Sequence, residues 1–366
     1  MKIAVSSHID VSVNVGASVR AKRIFELLQK KYDCTLIIRG KHRSKSDNVI
    51  VIKNSKLWNF QLIPVVRKNK FDLIYCASDF WGIFTYLALA KLYNFKLVFE
   101  AHGILSLEEE RRLRDPSSID KVSLVMNKWW LQWREKFIMK HVDCVVALSS
   151  DICGYYGRFN KCIVILPSFV DEKKFRPHKS PHEWKSDADE GKTIGLIGPF
   201  AYNSNHINTN ALDFVYKNVD EFDERIKFVV IGVCDSKIQN ERIEYTGYLN
   251  DFQDYADRLT RLDAVLVATR FYTSGPLTKI LESMACSLPV FTTPVGAVGL
   301  DHITAGEDIF ICDQSEIVAK INESLFDADL VERVGKNARR TIETYYSAAA
   351  NERTLVKVLA RVGILQ

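Results

Sequence analysis

The sequence predicts an α/β protein built as two doubly wound parallel sheets, and three observations carry that reading. Short β-branched runs alternate with amphipathic stretches, which is the rhythm of βαβ units on a parallel sheet. The rhythm runs twice, broken once by a charged, proline-containing segment from Asp171 to Lys192. The chain has 366 residues. That favours two domains of about 150–200 residues over one core.

In the first half the strand candidates are Lys2–Ser6, Cys34–Ile38, Asn48–Ile52, Phe71–Cys76, Lys96–Glu100, Cys144–Leu148 and Cys162–Leu166. Amphipathic stretches such as Ala21–Gln29 and Tyr86–Lys91 lie between them. Asp171–Lys192 contains Pro177 and Pro181, has little to bury and reads as a linker. Strands then resume at Thr193–Ile197, Lys227–Ile231, Ile243–Tyr245, Ala264–Ala268, Pro289–Thr293 and Asp308–Ile311, with helices at Leu277–Ala285 and Glu316–Phe326. The expected domains are 1–170 and 192–345, with 171–191 between them. A last helix within 346–366 could close its own domain or cross back to the first. Ligands of such sheets bind beyond the C-terminal strand ends, so the cleft between two such edges is the expected site.

Composition excludes several classes. At 47% hydrophobic and 26% charged, the chain is not disordered. A net charge of +5, from 50 basic and 45 acidic residues, is too small an excess to suggest a nucleic-acid partner. It is compatible with anionic substrates or a membrane surface. The eight cysteines are scattered without a CxxC pair. They read as reduced core residues of a cytoplasmic protein, with no metal site. MKIAVSS lacks the long apolar stretch of a signal peptide, and no run of 18 apolar residues exists to span a membrane.

The segment after the first strand holds Gly16, with a helix expected from near Ser18. Such a junction presents free amides to an anion, although the pattern is not GxGxxG and an ordinary loop glycine fits as well. Arg20 could contact a phosphate or sit on the helix surface. His102, in FEAHG, follows a strand at a ligand-facing position, or serves a structural role. Asp79, Glu100 and His8 are weaker candidates. In Thr269–Leu300 a strand ends near Ala268, and a loop with Ser274, Gly275 and Pro276 opens a helix carrying Thr278, Lys279 and Glu282. The helix amides and Lys279 could hold a diphosphate. Glu282 could accept from sugar or ribose hydroxyls, or pair with Lys279. Gly296 and Gly299 would permit close ligand approach.

Val125–Val142 interleaves tryptophans with lysines. Trp130, Trp133 and Phe137 fall on one helical stripe, expected mostly to pack against the sheet. The flanking lysines and aromatics also fit a helix lying on an anionic membrane surface.

Several segments, in order, resemble the retaining glycosyltransferases of the GT-B fold in the family 4 group. Ile165–Pro177 resembles the family's Pro-Asn-Gly-Val-Asp…Phe-x-Pro segment, with Ser168-Phe169 in place of Asn-Gly. Thr193–Asn205 resembles the opening of the donor-binding domain, Tyr245–Asp251 its mid-domain glycine segment, and Ser274–Leu300 the donor-site signature.

The resemblance implies two Rossmann-like domains facing across a cleft. It also implies a nucleotide-diphosphate sugar as co-substrate, and transfer of a hexosyl unit to a glycan or lipid-linked acceptor without cofactor or metal. It assigns Glu282 to ribose, Lys279 and the Gly275 loop to the diphosphate, Gly16 to the first-domain diphosphate approach, and His102 to the transferred sugar, where it could donate to a hydroxyl. Asp171 becomes a structural boundary residue. Two departures stand out. Ser274 occupies the place of the first glutamate of Glu-x7-Glu, and Gly198-Pro199-Phe200 replaces the Gly-Arg part of a phosphate-binding pair. Arg270, just after a strand, could supply the missing charge. Ser274 keeps open a second reading, a catalytically inactive nucleotide-sugar-binding partner subunit. A nucleotide-sugar epimerase is a third.

Overall fold

The computed structural model describes residues 1–7, 16–40, 47–53, 58–77, 79–80, 82–114, 121–177, 191–200, 206–249, 251–270 and 275–364. The chain divides into two compact units. One comprises Met1–Ser168 with Asn351–Gln366, the other Phe169–Ala350.

The first unit is a seven-stranded sheet ordered β3-β2-β1-β4-β5-β6-β7. The strands are β1 Lys2–Ser7, β2 Asp33–Gly40, β3 Val49–Lys53, β4 Leu73–Ala77, β5 Lys96–Ala101, β6 Cys144–Ala147 and β7 Ile163–Ile165. All neighbours are parallel, with β1 held between β2 (Ile3 opposite Cys34) and β4 (Ile3 opposite Leu73). The chain builds outward from β1 to β3, then returns to lay β4 on the other side of β1. The strand order therefore reverses between β1 and β4, which places a ligand crevice at their C-terminal ends. The β-branched runs are buried on both faces, as a parallel sheet requires. Helices Trp58–Asn69, Ile83–Tyr93 and Lys121–His141 bring Leu62, Val66, Ile83, Tyr86, Leu89, Ile138 and Met139 into one core with the strands. After Asn351 the final helix, Ala348–Arg361, contributes buried Leu355, Val358 and Leu359, and Glu352 pairs with Lys31 at 2.7 Å.

Helix Lys121–His141 corrects the sequence expectation. Its buried residues are Leu131, Arg134, Glu135, Ile138 and Met139, while Trp129, Trp130 and Trp133 face outward. Two charges face inward because each finds a partner there. Arg134 donates to the Phe80 carbonyl at 2.6 Å, and Glu135 accepts from the Ser106 amide and hydroxyl at 3.1 and 2.6 Å. Phe137 lies between Phe84 and Trp133, stacked on both.

The second unit is a six-stranded sheet ordered β10-β9-β8-β11-β12-β13, again parallel throughout. Its strands are β8 Lys192–Ile197, β9 Ile226–Ile231, β10 Ile243–Gly247, β11 Ala264–Val267, β12 Val290–Thr292 and β13 Phe310–Ile311. Here the order reverses between β8 and β11. The described start of the expected linker is not a free tether. Phe175 is fully buried in this unit, edge-on to Phe252 and Tyr255, and Arg339 bonds the carbonyls of Phe175 and Glu172. One large apolar side chain among the charges is enough to dock Asp171–Pro177. Residues 178–190 lie outside the described residues. The eight cysteines are free thiols, and Cys34, Cys76, Cys144 and Cys286 are buried.

Candidate functional site

In the first unit, helix Gly16–Leu28 begins at Gly16 itself and is the first element after β1. Arg20 lies one turn in and corrects its expected role at a phosphate. It is buried, and its guanidinium is committed inward. Nε and Nη2 donate to Glu100 Oε2 at 3.1 and 2.9 Å, and Nη1 and Nη2 donate to the carbonyls of Pro167 and Leu166 at 2.5 and 2.9 Å. The Tyr75 hydroxyl, one strand over on β4, donates to the same carboxylate oxygen. Burial alone would raise Glu100, but the neighbouring Arg20 and His102 outweigh it and hold the carboxyl well below the usual range.

Glu100 Oε1 meets His102 Nε2 at 2.5 Å. An ionised carboxylate only accepts, so Nε2 carries the hydrogen of this bond. Glu100, ranked low from sequence, is thus the centre of the cluster, because the alternation of β5 sends its side chain inward. Asp79 is a buried cap whose Oδ1 accepts from the Gly82 amide at 2.8 Å before helix Ile83–Tyr93. His8 lies outside the described residues.

The second unit's crevice is organised by Lys279. Helix Thr278–Ala285 starts at Thr278 after Leu277, whose side chain makes no capping bond. The Lys279 ammonium reaches the Ile197 carbonyl at 2.8 Å, at the end of β8, and the side-chain oxygen of Asn208. Burial pulls this lysine down to about 7. Both described partners are uncharged, and the expected alternative pairing with Glu282 is not formed. Glu282 is buried one turn on and accepts from the Tyr255 hydroxyl at 2.9 Å. Gly275 sits half-buried just ahead of the helix.

Gly198 follows β8 with φ of +142°, and a β-carbon there would lie 2.2 Å from the Asn208 amide. Only glycine both adopts that conformation and admits Asn208. At Gly296 a β-carbon would lie 2.2 Å from Thr292 Oγ1, so the protein's own packing already requires glycine there. Arg270 is exposed just past β11, its amide bonded to Asn210 Oδ1 at 2.8 Å. Ser274 lies outside the described residues.

Sequence reasoning missed Asn208. Its signal was present, a polar residue in the first turn of helix His206–Asn218 after a strand and loop, but nothing in that pattern pairs it with a lysine 71 positions away. Among the described residues, no group of acidic, histidine and cysteine side chains is arranged to hold a metal ion.

Comparison with known proteins places this geometry. Residues 16–174 match the model described as Glycosyltransferase Family 4, and residues 191–327 the model described as Glycosyl transferases group 1. Sucrose-phosphate synthase from Thermosynechococcus elongatus superposes with a TM-score of 0.77 at 16% identity, over 99% of each chain. Anabaena HepE, solved with UDP and glucose, gives 0.73 at 12% identity, over 98% of this chain and 99% of that one. A glycosyltransferase from Rickettsia africae gives 0.69 at 18% identity, over 100% and 99%. At these identities the likeness establishes the fold, which is GT-B. No curated protein matches the sequence.

Proposed function

The chain belongs to the group 1, family 4 glycosyltransferases, and from that premise we propose that it moves a hexosyl unit from a nucleotide-diphosphate sugar to an acceptor hydroxyl, retaining the anomeric configuration and using no metal. The acceptor is a glycan or lipid-linked glycan of cell-surface synthesis, and the protein works in the cytoplasm, peripherally at the inner face of a membrane.

The observation that carries the donor reading is Lys279. A half-buried ammonium whose partners among the described residues are uncharged, beside a helix start where Leu277 makes no side-chain cap, lies at the strand-order reversal of its sheet. A diphosphate supplies the missing negative charge. In this reading Thr278 and Gly275 add backbone amides, Gly16 and Gly198 admit close approach, Arg270 adds charge, and Glu282 accepts from ribose.

Transfer breaks the bond between the sugar's anomeric carbon and the diphosphate oxygen. The acceptor oxygen bonds that carbon on the same face, and its proton passes to a diphosphate oxygen. Lys279 and the helix amides stabilise the leaving charge. His102, its ring held by Glu100, orients the transferred sugar and donates to one of its hydroxyls.

Thermal shift of the purified protein against nucleoside diphosphates and their sugars, in metal-free buffer, tests this. Uridine compounds come first, since HepE was solved with UDP-glucose. A rise in melting temperature with one base, followed by transfer to an acceptor, is the expected result. No shift with any nucleotide at millimolar concentration overturns the donor assignment.

A further inference from the structure

Much of the outer face of helix Lys121–His141 is left open to solvent by the described residues. Val122, Val125, Met126, Trp129, Trp130 and Trp133 are between 43% and 73% exposed. Positions 122, 125, 126, 129 and 133 follow helical spacing and form one apolar stripe about 17 Å long at 1.5 Å per residue. This exposure is specified, not incidental. The inward positions hold Arg134 and Glu135, bonded to the Phe80 carbonyl and to Ser106, and Trp130 lies over the Arg134 guanidinium at 4.2 Å. Rotating the helix to bury the tryptophans would strand two charges, so the rotation is locked with the tryptophans outward.

Among the helix's own exposed side chains, the charge around the stripe has one sign. Glu135 is the helix's single acidic residue and is buried, whereas Lys121, Lys136 and Lys140 are exposed. On the flank toward helix Leu105–Arg114, Glu109 and Glu110 are engaged by Asn127 and Lys128 at 3.1 and 3.0 Å. Among the described residues, no helix is long and apolar enough to cross a membrane. A tryptophan-and-methionine stripe flanked by lysines fits the boundary between headgroups and acyl chains of an anionic bilayer. A second copy is a poorer occupant, because any twofold pairing of this face sets lysines against lysines.

We propose that this face docks on an anionic membrane through Met126, Trp129 and Trp133, and that the acceptor is therefore lipid-linked and taken from that surface. The acceptor part rests on the glycosyl-transfer reading above. The docking part does not. Ser106, which Glu135 holds, follows His102 by four residues, so the docked helix also braces the segment next to His102.

The test is flotation of the full chain with vesicles of phosphatidylcholine alone and of phosphatidylcholine with 30% phosphatidylglycerol, with tryptophan emission read in parallel. The wild type should float with the anionic vesicles, shift its emission to the blue, and detach in high salt. Trp129→Ser with Trp133→Ser should lower partitioning at least tenfold. Lys121→Ala with Lys136→Ala and Lys140→Ala should lower it about a hundredfold, at about fivefold per lysine. Both variants change exposed side chains and should keep the wild-type melting temperature and nucleotide-induced shift. Absence of flotation, or variants that float like the wild type, overturns the docking surface. A dimer that the tryptophan variant dissolves reassigns the face to self-association. Flotation without any nucleotide shift leaves the docking standing and removes the transfer reading. Flotation with transfer only to soluble glycans, and none to lipid-linked ones, overturns the acceptor.

Discussion

At the C-terminal edge of the first sheet, buried Glu100 lies between Arg20 and His102, with Tyr75 donating to it as well. At the same edge of the second sheet, Lys279 meets the Ile197 carbonyl and Asn208, and no carboxylate acts on it among the described residues. Neighbouring charges hold the glutamate in its ionised form, whereas desolvation pushes the lysine toward its neutral one. A cluster whose charges already balance is complete without ligand and can only hold a group in place. In the reading proposed above, the first edge orients the sugar, and the second, whose cation meets only uncharged groups among the described residues, binds the anion.

The largest effect should come from unbalancing the first cluster. Glu100→Gln leaves the Arg20 guanidinium buried without its counter-charge, which costs about 3–5 kcal/mol. Calorimetry should show the first unit melting on the order of 10 °C lower. A loss under about 1 kcal/mol would mean that the two carbonyls, not the carboxylate, hold Arg20. The pH dependence has a definite sign. Glu100 is lower in the folded state than in the unfolded one, so its contribution is full above the ordinary carboxylate range and is lost as pH falls below it.

Lys279→Ala comes next and should separate the two edges. Turnover per donor encounter should fall about 10²–10³-fold, roughly 3–4 kcal/mol of leaving-group stabilisation. Stability should hold or rise, since a poorly solvated cation is removed. In the wild type the unfolded lysine stays protonated to about 10.4, whereas the folded one releases its proton near 7. Stability should thus increase with pH across that window, and affinity for a nucleoside diphosphate should weaken above pH 7. Calorimetric titration from pH 6 to 9 reads this directly. Lys279→Arg, which stays charged, should flatten the slope, and an unchanged slope would remove Lys279 from the site.

Gly198→Ala probes whether Asn208 matters to the lysine. A side chain at φ of +142° against the Asn208 amide should cost about 1–3 kcal/mol and weaken nucleotide affinity with it. Stability loss with intact affinity would separate Asn208 from binding. The smallest effect expected is Tyr255→Phe. It removes one hydrogen bond to Glu282, at about 1 kcal/mol or less, and should raise the donor KM more than it lowers kcat if Glu282 serves ribose.

The strands were legible to within one or two residues at their ends, because burial on both faces of a parallel sheet demands continuous runs such as LIYCA and CVVA. The reversals of strand order, and so the crevices, were not, because which strands pair is decided only in the folded sheet. His102 and Lys279 were readable as strand-end and helix-start residues. Their partners were not. Arg20 looks like a surface or phosphate residue in any local window, and only the folding of β5 and of the Leu166–Pro167 segment after β7 around it shows that it faces inward.

The helix Lys121–His141 shows where local pattern stops. Periodicity establishes a stripe of tryptophan, methionine and valine, but a stripe does not say which side of the helix meets the core. Apolarity alone assigns it inward. The opposite rotation is selected because Arg134 and Glu135 find the Phe80 carbonyl and Ser106, groups brought there by β4, β5 and the turn after His102. Hydrophobic spacing is a property of neighbours in the chain and can be read along it. The satisfaction of a buried charge depends on groups tens of residues away, and it exists only once the chain has folded.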